Sequence, residues 1–458
     1  MMTSNTSSSE LDDFLQKFPE TRFMDVFAPD HNGVLRGKRI QSDEFSKVFG
    51  NGSNYVASTP LMNVLGDITS IISYGNDDGD PDLKCIAVPG SLAPVPWASQ
   101  PTAQCLLELF EFDGTAFFLD QRNVLRNALK PLADLGLKPI IATELEFYLV
   151  EHDGDSFKPR LPNIPGSSLP QGGHQYGSFD DLDSVEDFLM DVDSFCNAQN
   201  IPAGTAISEY SGGQFEINLN HVDDPILACD HAVLLKRVVK AAALKNGLAA
   251  TFMAKPFQQS AGSGLHIHTS LMDGDGNNVF SGTSKDGEFS DTLRHAIGGL
   301  VQTMAESMAV FAPNANSYRR YAPGFYVPAT PNWGPNHRDL ALRIPVSSQK
   351  NRRVEHRVAG ADANPYLVVA AVMAGIHHGI TNQLDPGPMV AEKQKVDYKI
   401  TLPVRWSKSL DAFKAGQVLP RYFGEEYHRL FEVCRREESD LFHAQVSNRD
   451  YEWYLRAV

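Results

Sequence analysis

The chain has 458 residues, 42% hydrophobic and 21% charged, an ordinary composition for a globular protein with room for one large domain and a smaller one. Its formal net charge of −16, from 56 acidic and 40 basic residues, disfavours a general nucleic-acid binder, which needs a basic face. Five scattered cysteines with no Cys-x-x-Cys pair suit a reducing, cytoplasmic setting.

The start, MMTSNTSSSE, has neither a basic segment nor an apolar run and is not expected to be a signal peptide. Residues 1–18 are expected to be a disordered tail, 1–8 being mostly polar. Residues 19–113 are expected to form a small, mostly β domain. There RFMDVFAPDHNGVLRGKRI gives two apolar runs split by a His-Asn-Gly turn, and CLLELFEF reads as a further strand. Asp113-Gly114 marks the boundary to a large α+β domain, 114–458. In it, FFLDQRNVLRNALKPLADLG has helical spacing and stops at Gly136. The Gly/Pro/Ser-rich stretch 153–185 should be a long loop or hairpin. Helices are expected in 184–199, 225–248, 288–312, 365–382 and 425–456. The most apolar stretch, YLVVAAVMAGIHHGI (366–380), is too short to span a bilayer and reads as a buried helix, so no membrane partner is expected.

Four segments share an unusual alternation. In GSGLHIHTS (262–270), His266, His268 and Ser270 fall on one strand face and Leu265, Ile267 and Leu271 on the other. Alone, this would describe a half-exposed strand with surface histidines. But ATELEFYLV puts Glu144, Glu146 and Tyr148 in front, GQFEINLN puts Gln214, Glu216, Asn218 and Asn220 there, and RRVEHRV does so with Arg353, Glu355 and Arg357. Glu209 lies seven residues before Glu216. Carboxylates crowded on one face are costly unless paired. Mostly oxygen donors with an imidazole favour Mg²⁺ or Mn²⁺ over zinc. Arg319, Arg320, Arg338, Arg343, Arg352, Arg353 and Arg357 fall close together, with Lys350 among them, and the guanidinium fork suits carboxylate or phosphate. Metal donors beside anion binders, without a P-loop or kinase signature, point to phosphoryl transfer from metal-bound ATP to an anionic acceptor. The residues alone do not name that acceptor.

TELEF, GQFEIN, GSGLHIHTSL, NSYRRYAPG, ALRIPV, RRVEHR and ANPYL stand in the same order as in the glutamine synthetase family, which the chain resembles from about Asp25 to its end. The resemblance implies an N-terminal β-grasp domain, a large catalytic α/β domain with an antiparallel sheet lining the site, and a homo-oligomer, a dodecamer of two hexameric rings with sites between neighbours. It implies two or three Mg²⁺ or Mn²⁺ ions per site: Glu146, Glu209 and Glu216 on one, Glu144, His266 and Glu355 on another. It further implies His268, Ser270, Lys350 and Arg353 at ATP, Arg338 and Arg343 at the transferred phosphoryl group, and Arg320, Arg357 and Gly262 at L-glutamate.

Three departures from ammonia-using members stand out. Tyr326 replaces a glutamate two places after Pro323-Gly324, Val56 stands about where an aspartate is expected, and Ala261 replaces an asparagine before Gly262. Ile400 occupies the place of the family's adenylylated tyrosine, so that control is not expected. Loss of the two carboxylates removes what would attract NH₄⁺ and take its proton. Tyr326 and Trp333 would give aromatic walls or cation–π contacts to a larger amine, or else simply pack. NWGPNHR and EHRVAGADANPYL are most like the γ-glutamylpolyamine synthetase branch, which implies ligation of glutamate to a primary amine such as putrescine or spermidine, in polyamine catabolism. The alternatives are short monoamines as acceptors, a glutamine synthetase with a remodelled ammonia pocket, and an inactive ring-forming homologue.

Overall fold

The computed structural model describes residues 4–173, 176–282 and 288–458. The chain builds two sheets. The first runs Leu35–Gln41, Phe23–Pro29, Thr102–Phe110, Asp82–Ala87, Ser53–Val56, with Ala93–Pro94 also on Thr102–Phe110. Phe23–Pro29 and Thr102–Phe110 are parallel and the other pairs antiparallel. The expected His-Asn-Gly turn closes the first hairpin: Gly33 is left-handed at φ +78°, and Asp30 Oδ1 accepts from the Asn32 and Val34 amides.

The second sheet has nine strands. Its main path is Trp333–Pro335, Leu342–Ile344, Val354–His356, Leu265–Met272, Lys138–Asp153, Gln214–Leu219, Ala203–Ser208. Ala249–Thr251 and Ser156–Pro159 also pair with the long Lys138–Asp153 strand. Only Trp333–Pro335 with Leu342–Ile344 is parallel among the described pairs, so the sheet is antiparallel where the acidic segments lie.

The expected helices form at Gln121–Asp134, Glu186–Ala198, Pro225–Lys245, Asp291–Phe311 and Pro365–Asn382. Each of the first, third and fifth is capped by a side chain the sequence supplies, Asp120, Asp224 and Asn364. Pro365–Asn382 is buried almost throughout and packs on Asp291–Phe311 and Gln121–Asp134. Among the described residues no helix is long and apolar enough to cross a membrane. The Gly/Pro/Ser-rich stretch begins as a hairpin through Ser156–Pro159 and ends in a short helix, Phe179–Asp183; its residues 174–175 lie outside the described ones.

Two expectations are corrected. The tail expected to be disordered forms a helix, Ser4–Lys17, with residues 1–3 outside the described ones. Leu11, Phe14, Leu15 and Phe18 recur at helical spacing, and Leu11 and Phe14 enter the core. Glu10 accepts from the Gly90 and Leu92 amides, tying the helix to the first sheet. The 425–456 helix is two, Glu425–His443 and Asn448–Tyr454, the second opened by a capping box between Ser447 and Asp450.

Candidate active site

Strand register brings the acids together. His266 lies opposite Glu144, Glu216 opposite Glu146, Asn218 opposite Glu144 on its other side, and His268 opposite Glu355. Behind them Leu145, Phe147, Phe215, Ile217, Leu265 and Ile267 are each 3% exposed or less. Glu209 follows the Ala203–Ser208 strand, its amide donating to Gln214 O at 2.8 Å.

A cavity of about 650 Å³ lies against this face. It is lined by Glu144, Glu146, Glu209, Glu216, His266 and Glu355, by Arg320, Arg338, Arg343 and Arg357, and by Gly262 and Tyr326. Gly262 and Gly264 are needed for closeness. A Cβ on Gly262 would stand 2.6 Å from Ala254 O and from Arg320 Cγ, and one on Gly264 2.6 Å from Arg320 Nη2 and 2.9 Å from His266 Nε2.

Among the described residues three donor groups have ligand atoms within 4.8 Å of one another: Glu146–Glu209–Glu216, Glu144–Glu216–His266 and Glu144–His268–Glu355. The first is the trio the resemblance implies. The implied Glu144, His266 and Glu355 also adjoin: His266 Nδ1 is 3.0 Å from Glu144 and 3.9 Å from Glu355. His268 Nε2 meets the other Glu144 oxygen at 2.8 Å, so it stands beside the same acids.

Burial pushes the Glu209 carboxyl up to about 7, the Glu146 charge adding to it, and burial with the charges of Glu144, Glu146 and Glu209 drives Glu216 well above the usual range. Burial acts the same way on Glu144 and Glu355 but is outweighed. The bonds and charges of His266 and His268 hold Glu144 far below its ordinary value, and Arg357 with the two histidines brings Glu355 to about 2. Glu355 is bound by Arg343 Nη1 at 2.8 Å and by Arg357. Buried carboxylates that raise one another, with an imidazole alongside, fit a hard divalent cation: its charge is what such a donor set lacks.

Some expected residues lie outside the cavity. His268 and Ser270 continue the same strand face past the Glu144–Glu355 level; Ser270 Oγ donates to Arg352 O at 3.1 Å and Arg353 Nε to His268 Nδ1 at 3.2 Å. Lys350 is exposed on the adjoining Gln349–Asn351 turn. Trp333 does not line the cavity. It is 2% exposed, edge-on to Phe289, its indole N–H donating to Gly387 O at 3.2 Å, so packing accounts for it. The cavity also takes in residues the motifs did not single out, Tyr176, Asn336, His337, Asp339 and Glu392. Asn336 accepts from Arg343 Nη2 at 3.1 Å and donates to Glu392 Oε1 at 2.7 Å. NWGPNHR contained two of them; Glu392 lies in a stretch without periodicity.

A profile of the glutamine synthetase catalytic domain matches residues 118–454. The chain belongs to the glutamine synthetase family. Within it, the chain is 40% identical over 452 residues to the gamma-glutamylputrescine synthetase of Escherichia coli, covering 98% of this chain and 95% of that one. It is 32% identical over 447 residues to a glutamate–isopropylamine ligase of a Pseudomonas species, covering 94% of each. It is 30% identical to the gamma-glutamylethanolamide synthetase of Streptomyces coelicolor over 445 residues, 93% and 90% of the two chains. Among solved structures it resembles GmaS in its ADP complex, with a TM-score of 0.82 at 25% identity over 99% of both chains.

Proposed function

We propose that this chain is an ATP-dependent ligase joining the γ-carboxyl of L-glutamate to a primary amine, foremost a polyamine such as putrescine or spermidine. The observation that carries the reading is Tyr326: it lines the cavity beside an intact donor set, at the place where ammonia-using members have a glutamate. The amine-ligating relatives support it.

Two or three Mg²⁺ or Mn²⁺ ions, held by Glu144, Glu146, Glu209, Glu216, His266, His268 and Glu355, would neutralise phosphate oxygens and polarise the transferred phosphoryl group. Arg338 and Arg343 would meet the charge that develops on that group. Arg320 and Arg357 would clamp the carboxylates of glutamate, and the Gly262 carbonyl its ammonium. His268, Ser270, Arg353 and Lys350 adjoin the Glu144–Glu355 level, which supports ATP lying beyond it. ATP's γ-phosphoryl passes to the γ-carboxylate, giving γ-glutamyl phosphate and ADP. The neutral amine then attacks the acyl carbon, the C–N bond forms, phosphate leaves, and the nitrogen loses a proton. Tyr326 supplies no carboxylate to attract an ammonium ion, but its ring can line a slot for a carbon chain.

The same reading makes 19–113 a β-grasp domain and 114–458 the catalytic domain, in keeping with a first sheet that spans 23–110. Val56 sits on that sheet and outside this chain's own cavity. That favours a dodecamer of two hexameric rings in which a neighbour's first domain completes each site. All five cysteines are free and buried, which supports a cytoplasmic setting. The test is phosphate release with glutamate, ATP and a panel of amines. Release should require both glutamate and an amine, highest with polyamines; equal turnover with ammonium chloride alone would reject the reading.

A further inference from the structure

A second, smaller cavity of about 160 Å³ opens beside Tyr326. It shares Tyr326, Val327 and Asp339 with the main cavity, so the two meet along these residues. Its outer wall includes Asp397, Tyr398 and Lys399. The volume is too small for a nucleotide and suits a short carbon chain ending in one ionic group.

The charges differ on the two sides of this junction. In the main cavity Glu355 is engaged by Arg343 and Arg357, and Glu144 by two histidines. Glu392 accepts from Asn336. Among the described residues Asp339 belongs to none of the donor groups, and its one ion-pair contact is with His337 Nδ1, at 3.9 Å, its side chain 42% exposed. Tyr326, largely exposed, and Val327 line both cavities together with Asp339, so the apolar part of the junction is chiefly the tyrosine ring. The junction therefore presents a carbon-chain path with a weakly engaged carboxylate along it.

We propose that this junction is a subsite for the far end of a diamine acceptor, with Asp339 the specificity-determining residue that receives the distal ammonium. The inference rests on the amine-ligase reading and extends it: a reacting nitrogen near Tyr326 and a second ammonium about four methylenes away, as on a lysine stem, would use both cavities at once. Asp397, the other carboxylate of the small cavity, is paired with Lys395 at 3.3 Å. An ammonium carried into this site without a counter-charge would be penalised, which is how the Asp339 carboxylate discriminates a diamine from a monoamine of equal length.

The experiment compares putrescine with 1-aminobutane, which has the same carbon chain and one ammonium fewer. Phosphate release is measured for the wild type, Asp339→Asn and Asp339→Glu. The wild type should prefer putrescine. Asp339→Asn should lower the putrescine-to-aminobutane ratio of kcat/KM about tenfold, through KM for putrescine rather than kcat. Asp339→Glu, keeping the charge, should restore most of the preference. A ratio unchanged by Asp339→Asn, or a wild type that does not distinguish the two amines, overturns the subsite while leaving the ligase reading in place. A wild type that releases phosphate with none of the amines in the panel overturns the ligase reading itself, and the subsite with it.

Discussion

Replacing Glu216 by glutamine tests the donor set with little change of shape. Glu216 is 6% exposed, and its donor oxygen lies within 4.8 Å of those of Glu146 and Glu209. At an effective dielectric of 20, two unit charges no more than 4.8 Å apart would repel by about 3.5 kcal/mol or more, a cost that opposes ionisation of Glu216. In chelator the variant should therefore be at least as stable as the wild type, because the amide removes a charge that burial and three neighbouring carboxylates oppose. With a divalent ion the order reverses. An ion at about 100 times its Kd stabilises the folded chain by about 2.7 kcal/mol. Spread over 458 residues, each with an unfolding entropy of about 2.1 cal/mol/K, this raises Tm by about 3 °C. The assay is thermal melting in EDTA and in a Mn²⁺ series, with phosphate release measured alongside. The wild type should gain the full shift and the variant little of it, and activity should fall about a hundredfold or more, since the lost charge acts at the phosphoryl group. A variant that keeps the wild-type metal shift would show that Glu216 is not a donor. One that melts several degrees lower in EDTA would show that the carboxylate serves packing.

Tyr326→Glu should move the kcat/KM ratio toward ammonia and away from putrescine, and Val56→Asp with Tyr326→Glu should move it further; a ratio unchanged in both would remove residue 326 from the amine site. Asp120, fully buried at the start of Gln121–Asp134, is pushed up to about 6 by burial against the opposing amide bonds. Because its folded value is raised, its contribution is present at low pH and is lost as pH climbs from the unfolded value through 6. Asp120→Asn should thus gain about 3 kcal/mol at pH 8 and about half of that at pH 5, read by denaturant unfolding; an equal gain at both would exclude the ionisation as its source. Gly262→Ala would crowd Arg320 and the Ala254 carbonyl, lowering stability by about 1–3 kcal/mol and raising KM for glutamate more than for ATP. Unaltered glutamate kinetics would mean that Arg320 is not a glutamate ligand.

The donor strands were legible because alternation is local: Glu144 and Glu146, Glu216, and His266 and His268 declare their shared face within a few residues. Which donor meets which was not, because it depends on register between strands far apart in the chain. That His268 adjoins Glu144 and Glu355 as well as Arg353 is visible only in the paired strands. Trp333 was ambiguous for the same reason: its inward-turned ring meets the distant Phe289 and Gly387. Glu392 carries no pattern at all, since residues 383–405 contain no helix or strand. The first helix was hidden by polar composition, although Leu11, Phe14, Leu15 and Phe18 already traced its buried stripe.

The donors and the core share one alternation, and this ties accuracy at the site to folding itself. Shifting the Leu265–Met272 strand by one residue would turn His266 and His268 into the apolar layer and send Leu265 and Ile267 into the cavity. A one-residue slip could not spoil the site and spare the core, so the hydrophobic layer guards the facing of the acids as well as its own closure. The ion need not act as a template: it arrives at a grid already drawn by leucine, isoleucine and phenylalanine on the opposite side of the sheet.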